Sequence, residues 1–133
     1  MNRQRIGLIC WAPAAALAVL SCSRTPPLPP AEQTYTIRGL ITSLPSPQKP
    51  ASELLIRHEP VPTFVGRDGR IVGMESMEMP FSPAKGLSLS GLHVGQPVEF
   101  TLEVRWTPPA RMTLTRIAPL PAGTTLDLGA TRQ

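Results

Sequence analysis

The sequence predicts an all-β domain, a small closed or nearly closed barrel of short strands. Three observations carry this. Apolar and polar residues alternate with period two in several runs, most cleanly over Val98 to Arg105, as a half-buried strand requires. Turn signals rich in Pro, Gly, Asp and Ser separate those runs about every eight to twelve residues. The 133 residues include 17 Pro and 10 Gly, so helix breakers fall in every stretch long enough for a helical bundle. A chain of this length has room for one domain and little to wall a deep apolar pocket, which argues against a large enzyme.

The N-terminus reads as a leader. Arg3 and Arg5 form a basic start, and Ile6 to Leu20 follows without a charge and with Pro13 inside it. That run is too short for a confident membrane span and suits the apolar core of a signal peptide. It ends in Val19-Leu20-Ser21-Cys22, which resembles a bacterial lipobox. A small residue is needed beside the cleaved bond, and the Cys sulfur takes the diacylglyceryl group. The alternative is an ordinary signal peptide in which Cys22 is incidental. On the first reading, 1–21 is a lipoprotein signal peptide and Cys22 is lipidated. The protein is then anchored on the periplasmic side of a bacterial envelope, at the outer membrane if the cell has one, because Ser23 is not the retaining Asp. Loss of Arg3 and Arg5 halves the net charge of +4. With Cys10 also gone and Cys22 lipidated, no disulfide can form in the folded part.

Residues 22–34 contain Thr25-Pro26-Pro27-Leu28-Pro29-Pro30, an extended, semi-rigid linker. The folded domain is expected over 35–120. Its first strand is Tyr35 to Ile41, with Gly39 marking a bulge or bend. Pro45 to Pro50 turns into Leu54 to His58, a strand stopped by Pro60 and Pro62. Phe64-Val65 and Ile71-Val72 flank Asp68-Gly69, a strong hairpin signal. Met77 to Phe81 is a short strand ending near Pro83. Leu87 to Leu92 reads as a turn or a single helical turn. Val98, Phe100, Leu102 and Val104 point one way along the next strand. Pro108-Pro109 turns into Met112 to Ile117. Residues 121–133 read as a disordered tail. Five or six strands result.

The residues available for catalysis are few. No Ser, His and Asp set has a motif context, no glycine-rich loop follows a strand into a helix, and no Cys-x-x-Cys or His-x-x-x-His pair exists. No enzyme is expected. The segment that stands out is Met74-Glu75-Ser76-Met77-Glu78-Met79. On a strand, Met77 and Met79 share a face. Leu54, Ile56 and His58 share another, with the imidazole at its rim. Pairing of the two strands would set one imidazole beside two or three thioethers. That is a soft, neutral donor set suited to Cu(I) or Ag(I) and poor for Zn(II). Met is also a common core filler, so Met77, Met79 and Phe81 can equally be packing alone. His93 reads as a solvated loop residue, Met112 as core, and Trp106 as a packing anchor.

At this point the residues resemble a known family. His58-Glu59-Pro60-Val61-Pro62, Met77-Glu78-Met79-Pro80-Phe81, Leu89-Ser90-Gly91-Leu92 and Val94-Gly95-Gln96-Pro97-Val98-Glu99-Phe100 look like the CusF-type periplasmic copper-binding domain. The resemblance spans roughly Tyr35 to Leu120. It implies a five-stranded OB-like barrel that binds Cu(I) or Ag(I) through His58, Met77 and Met79. Two departures stand out. Where the best-known members carry a Trp that caps the metal, this chain has Met74, a candidate third thioether. The connection Glu59 to Gly73 is also longer than usual, and the Asp68-Gly69 hairpin is expected to absorb the excess.

The expected function is therefore a lipid-anchored, monomeric carrier or copper-tolerance factor. It would pass Cu(I) to an efflux system or to a copper-enzyme assembly protein. The alternative is a metal-free OB-like envelope interaction module. A nucleic-acid role is disfavoured by weak charge and few aromatics, two Trp, one Tyr and three Phe.

Overall fold

The computed structural model describes residues 27–49 and 51–129. The expected signal peptide and Cys22 lie outside them. Five strands form: β1 (Gln33–Ser43), β2 (Leu54–His58), β3 (Met77–Pro83), β4 (Pro97–Arg105) and β5 (Arg111–Pro119). They close into a barrel in the order β1-β2-β3-β5-β4. All neighbours run antiparallel except β3 and β5, which pair in parallel over only Ser82 with Thr113 and Pro83 with Leu114. This is the expected all-β, five-stranded OB-like barrel. Closure reduces the free sheet edge available to template unwanted pairing.

The alternation of β4 builds the centre of the core. Val98, Phe100, Leu102 and Val104 are at most 1% exposed. Burying a side chain such as Phe100 contributes roughly 1.5–3 kcal/mol. Ile37 and Ile41 from β1, Leu54 and Ile56 from β2, Phe81 from β3 and Leu114 from β5 complete the lining. In β5 the register slips opposite Thr101 and Leu102, so that Leu114 and Arg116 face adjacent residues of β4. This bulge lets Leu114 and Ile117, which strict alternation would put on opposite faces, both pack against the core.

β1 serves two neighbours. Gln33 to Leu40 pair with β4, and Gly39 to Ser43 pair with β2. Gly39 is partnered on both sides, by Val98 and by His58. A Cβ there would lie 2.6 Å from Ile56 Cγ2 and 2.7 Å from the Arg57 carbonyl oxygen. The glycine is needed for close approach, and the register break in β1 falls further on, between Ile41 and Ser43.

The long β2–β3 connection folds into a lobe. Val61 and Met74 exchange backbone hydrogen bonds of 2.7 and 2.9 Å, and Val65 bridges Ile71 around the Asp68-Gly69 turn. Phe64 anchors the lobe, its ring 5.3 Å from Tyr35 and edge-on to Trp106 at 6.3 Å. The indole N–H of Trp106 donates to the Val65 carbonyl.

Both flanks of the barrel are held to it. Glu32 reaches the β4–β5 turn, where its Oε1 accepts hydrogen bonds from the Trp106 and Thr107 N–H groups and the Thr107 hydroxyl. The tail was expected to be disordered. Over 121–129 it instead lies against the barrel, with the Asp127 N–H donating to Glu59 Oε1 at 2.8 Å. The reason is the Glu59 carboxylate, which accepts from both Arg38 and the Asp127 N–H, long-range partners that composition does not reveal.

Candidate metal centre

β2 alternates, so Leu54, Ile56 and His58 face inward while Leu55 and Arg57 face outward. The sequence places His58 at a rim, but closure of the barrel buries it completely, at 0% exposure. It is the one buried polar residue among the described residues. Its ring stands edge-on to Phe81, centroids 6.2 Å apart.

The two ring nitrogens differ. Nδ1 lies 2.7 Å from the Glu59 carbonyl oxygen, which can only accept, so Nδ1 carries the proton. In the neutral ring Nε2 is then a bare lone pair. It is out of reach of solvent and makes no hydrogen bond. An unpaired buried polar atom costs about 1–3 kcal/mol, so such a group calls for an explanation. A backbone carbonyl that fixes the tautomer and aims the other nitrogen is the usual arrangement behind a metal-ligating His.

Strand register brings the predicted donors onto neighbouring positions. His58 is directly opposite Met77, and Met79 is opposite Ile56. Opposed residues have Cβ atoms about 5 Å apart and diagonal ones about 7–8 Å, within reach of a long thioether. Met77 is 45% exposed, whereas Met79 is partly buried against the core. Met74 sits in the lobe, bridged to Val61 and also packed against the core. The structure thus pairs His58 with Met77 across one seam, sets Met79 one inward position further along, and leaves Met74 off the strand. Cys22 lies outside the described residues.

Glu59 organises the surroundings. Its carbonyl holds His58, and its carboxylate takes a bidentate pair from Arg38 at 2.9 and 3.0 Å besides the Asp127 N–H. Sequence reasoning did not single out Glu59. Its place directly after the candidate ligand was the available signal.

Among the described residues no group of three or more His, Cys, Asp or Glu could hold a metal ion. Thioether donors stand outside that set of residue types. His93 is exposed, and Met112 is partly buried against the core. Comparison with known proteins finds no matching family model, no similar curated protein and no similar solved structure.

Proposed function

We propose that this OB-like barrel binds Cu(I), and Ag(I) by the same donors, and carries it within the bacterial envelope. His58 Nε2, Met77 and Met79 would hold the ion, with Met74 as a further thioether. The observation that carries the reading is His58. Its Nε2 is aimed by a backbone hydrogen bond, buried and unpartnered, and its cross-strand neighbour is a methionine. The chemistry fits: one neutral imidazole and two or three neutral thioethers are soft donors that suit a monovalent d¹⁰ ion. The half-exposed Met77 would give the ion a way in. Resemblance to the CusF-type domain points the same way, and the lipobox-like run Val19-Leu20-Ser21-Cys22 is compatible with an envelope location. A copper efflux system or a copper-enzyme assembly protein would receive the metal from a monomeric carrier.

A second reading is a metal-free interaction module. It is favoured by Ile71 and Val72, 70% and 62% exposed side by side on the lobe. An aliphatic pair held out in water suits a protein partner.

A titration separates the two. The purified protein is challenged with Cu(I) against a competing chelator under reducing conditions. The carrier reading expects one tightly bound equivalent, lost when Met77 and Met79 are changed together to Leu. Met74→Leu is expected to weaken binding while leaving the fold intact. Absence of competition with the chelator rejects the carrier and leaves the interaction module.

A further inference from the structure

The linker and the β2–β3 lobe meet at one end of the barrel, and Trp106 joins them. On the linker side, the Glu32 carboxylate accepts from the Trp106 and Thr107 N–H groups, and the Pro29 carbonyl accepts from Arg105 Nε at 2.6 Å. On the lobe side, the Trp106 indole N–H donates to the Val65 carbonyl at 3.3 Å, and the Val65 N–H donates to the Tyr35 hydroxyl at 2.9 Å. A hairpin rises from that stem, with the Val72 N–H donating to the Phe64 carbonyl and the Gly66 N–H to the Arg70 carbonyl. The base of the linker and the stem of the hairpin are thus fixed to each other through one residue.

The hairpin carries two kinds of exposed side chain. Ile71 and Val72, at 70% and 62%, are the two most exposed large apolar residues among those described. Arg67 and Arg70 beside them are exposed as well, and Asp68 offsets one charge across 3.8 Å to Arg70. Arg111 adds an exposed cation at the start of β5. Of the other acids at this end, Glu103 is paired with Arg105 at 2.6 Å, and Glu32 caps the backbone N–H groups named above. Aliphatic side chains ringed by guanidinium groups match a bilayer surface, where hydrocarbon sinks below the headgroups and cations meet lipid phosphates.

The tether selects the bilayer over a soluble protein as the partner. Pro29 is seven residues from Cys22, and an extended chain of that length spans at most roughly 25 Å. With a lipid on Cys22, this end of the barrel stays within that distance of the membrane. Three residues, Val65 to Asp68, carry the hairpin tip about 10 Å further out. A short tether also holds a weak surface at an effective concentration of about millimolar against whatever it is tied to. We infer that the hairpin is a second membrane contact, with Ile71 and Val72 entering the headgroup region of an anionic bilayer and Arg67 and Arg70 meeting its phosphates. This rests on the lipid-anchor reading of Cys22 and is independent of metal binding.

The test supplies the tether directly. Residues 22–133 hold the whole linker, barrel, lobe and tail and a single Cys, Cys22. That thiol is coupled to a maleimide-headgroup lipid in nanodiscs of equal parts phosphatidylcholine and phosphatidylglycerol. A gadolinium-chelate lipid in the same disc broadens nearby amide signals of the ¹⁵N-labelled protein. Broadening is expected over 67–72. Ser46 and Lys49 should be spared, because their turn follows the far end of β1, about 30 Å from the linker base. Ile71→Ser with Val72→Ser is expected to abolish that preference, and unchanged shifts elsewhere establish that the variant is folded. Arg67→Gln with Arg70→Gln is expected to weaken docking about tenfold, and discs of phosphatidylcholine alone should do the same. Equal broadening at both ends of β1 would overturn the inference and leave the aliphatic pair to a protein partner. A preference that survives the Ile71 and Val72 change, or one indifferent to both the arginines and the anionic lipid, would overturn it as well. Labelled palmitate fed to bacteria making the full chain tests the anchor separately. No label at Cys22 rejects the anchor and this inference with it, whereas label with even broadening rejects the docking alone.

Discussion

Gly39→Ala tests the account of the β1–β2 seam. The added methyl would meet Ile56 Cγ2 at 2.6 Å, the Arg57 carbonyl oxygen at 2.7 Å and His58 Cα at 3.1 Å. Two of those three atoms belong to the backbone of a paired strand, so rotamer changes cannot clear them. Overpacking of this kind costs about 1–3 kcal/mol, and backbone contacts put this case at the upper end. Alanine also restricts the unfolded chain, which returns about 0.4–1 kcal/mol. The net expectation is a loss of about 2 kcal/mol. For a domain of this size that lowers Tm by roughly 8–16 °C. Urea unfolding should show a lower midpoint with an unchanged slope, since the surface exposed on unfolding is the same. Gly39→Val should cost more, because its branches reach further into β2. A midpoint change worth less than about 0.5 kcal/mol, or a Val variant no worse than Ala, would refute the close-approach argument. Because the strand that must yield carries His58, the Ala variant should also bind Cu(I) more weakly if the carrier reading is right.

Two further outcomes follow from the flanks and the lobe. Phe64→Ala removes a ring that is 6% exposed and wedged between Tyr35 and Trp106, and should cost about 3–4 kcal/mol with faster hydrogen exchange at Val61 and Met74. Glu32 has its pKa held below the ordinary value, first by the Thr107 hydroxyl and then by the Thr107 N–H, with burial opposing and the Trp106 N–H adding a little. A depressed carboxylate pKa stabilises the fold above the unfolded value and stops doing so as pH falls through the folded one. Thermal melts taken from neutral pH down to about pH 3 should therefore lose stability on acidification, and Glu32→Gln should flatten part of that loss.

Much of the barrel was legible from the chain. The run Val98 to Arg105 declares its buried face, because every second residue is large and apolar and water is available only on the other side. Leu54 to His58 is bounded by Pro60 as a strand must be when a ladder N–H is lost. Other features depend on partners far away in sequence. Nothing local to Thr115 announces a bulge; it follows from fitting Leu114 and Ile117 onto one core. Gly39 reads as a kink and proves to be a point of contact, which only the position of β2 reveals. Of the candidate centre, the alternation of Met77 and Met79 and the inward face of His58 are sequence facts. The bare Nε2 is not, since it depends on the Glu59 carbonyl curling back to Nδ1. The tail was the hardest to read, because the acceptor that holds Asp127 is on Glu59, whose carboxylate is already engaged by Arg38.

The unequal seams of the barrel bear on how it would let something go. β3 joins β2 over five opposed pairs but meets β5 over only two. The β3–β5 contact is the shortest run of pairing in the closed ring, and local opening starts where the fewest bonds must break. When that seam parts, β3 stays paired with β2 over five positions, so Met77 stays opposite His58 and Met79 opposite Ile56. Such an opening would bare the inner face between β3 and β5 without parting β3 from β2. If the carrier reading is right, that seam is where another protein's ligands would reach the ion, with no need for the whole barrel to unfold.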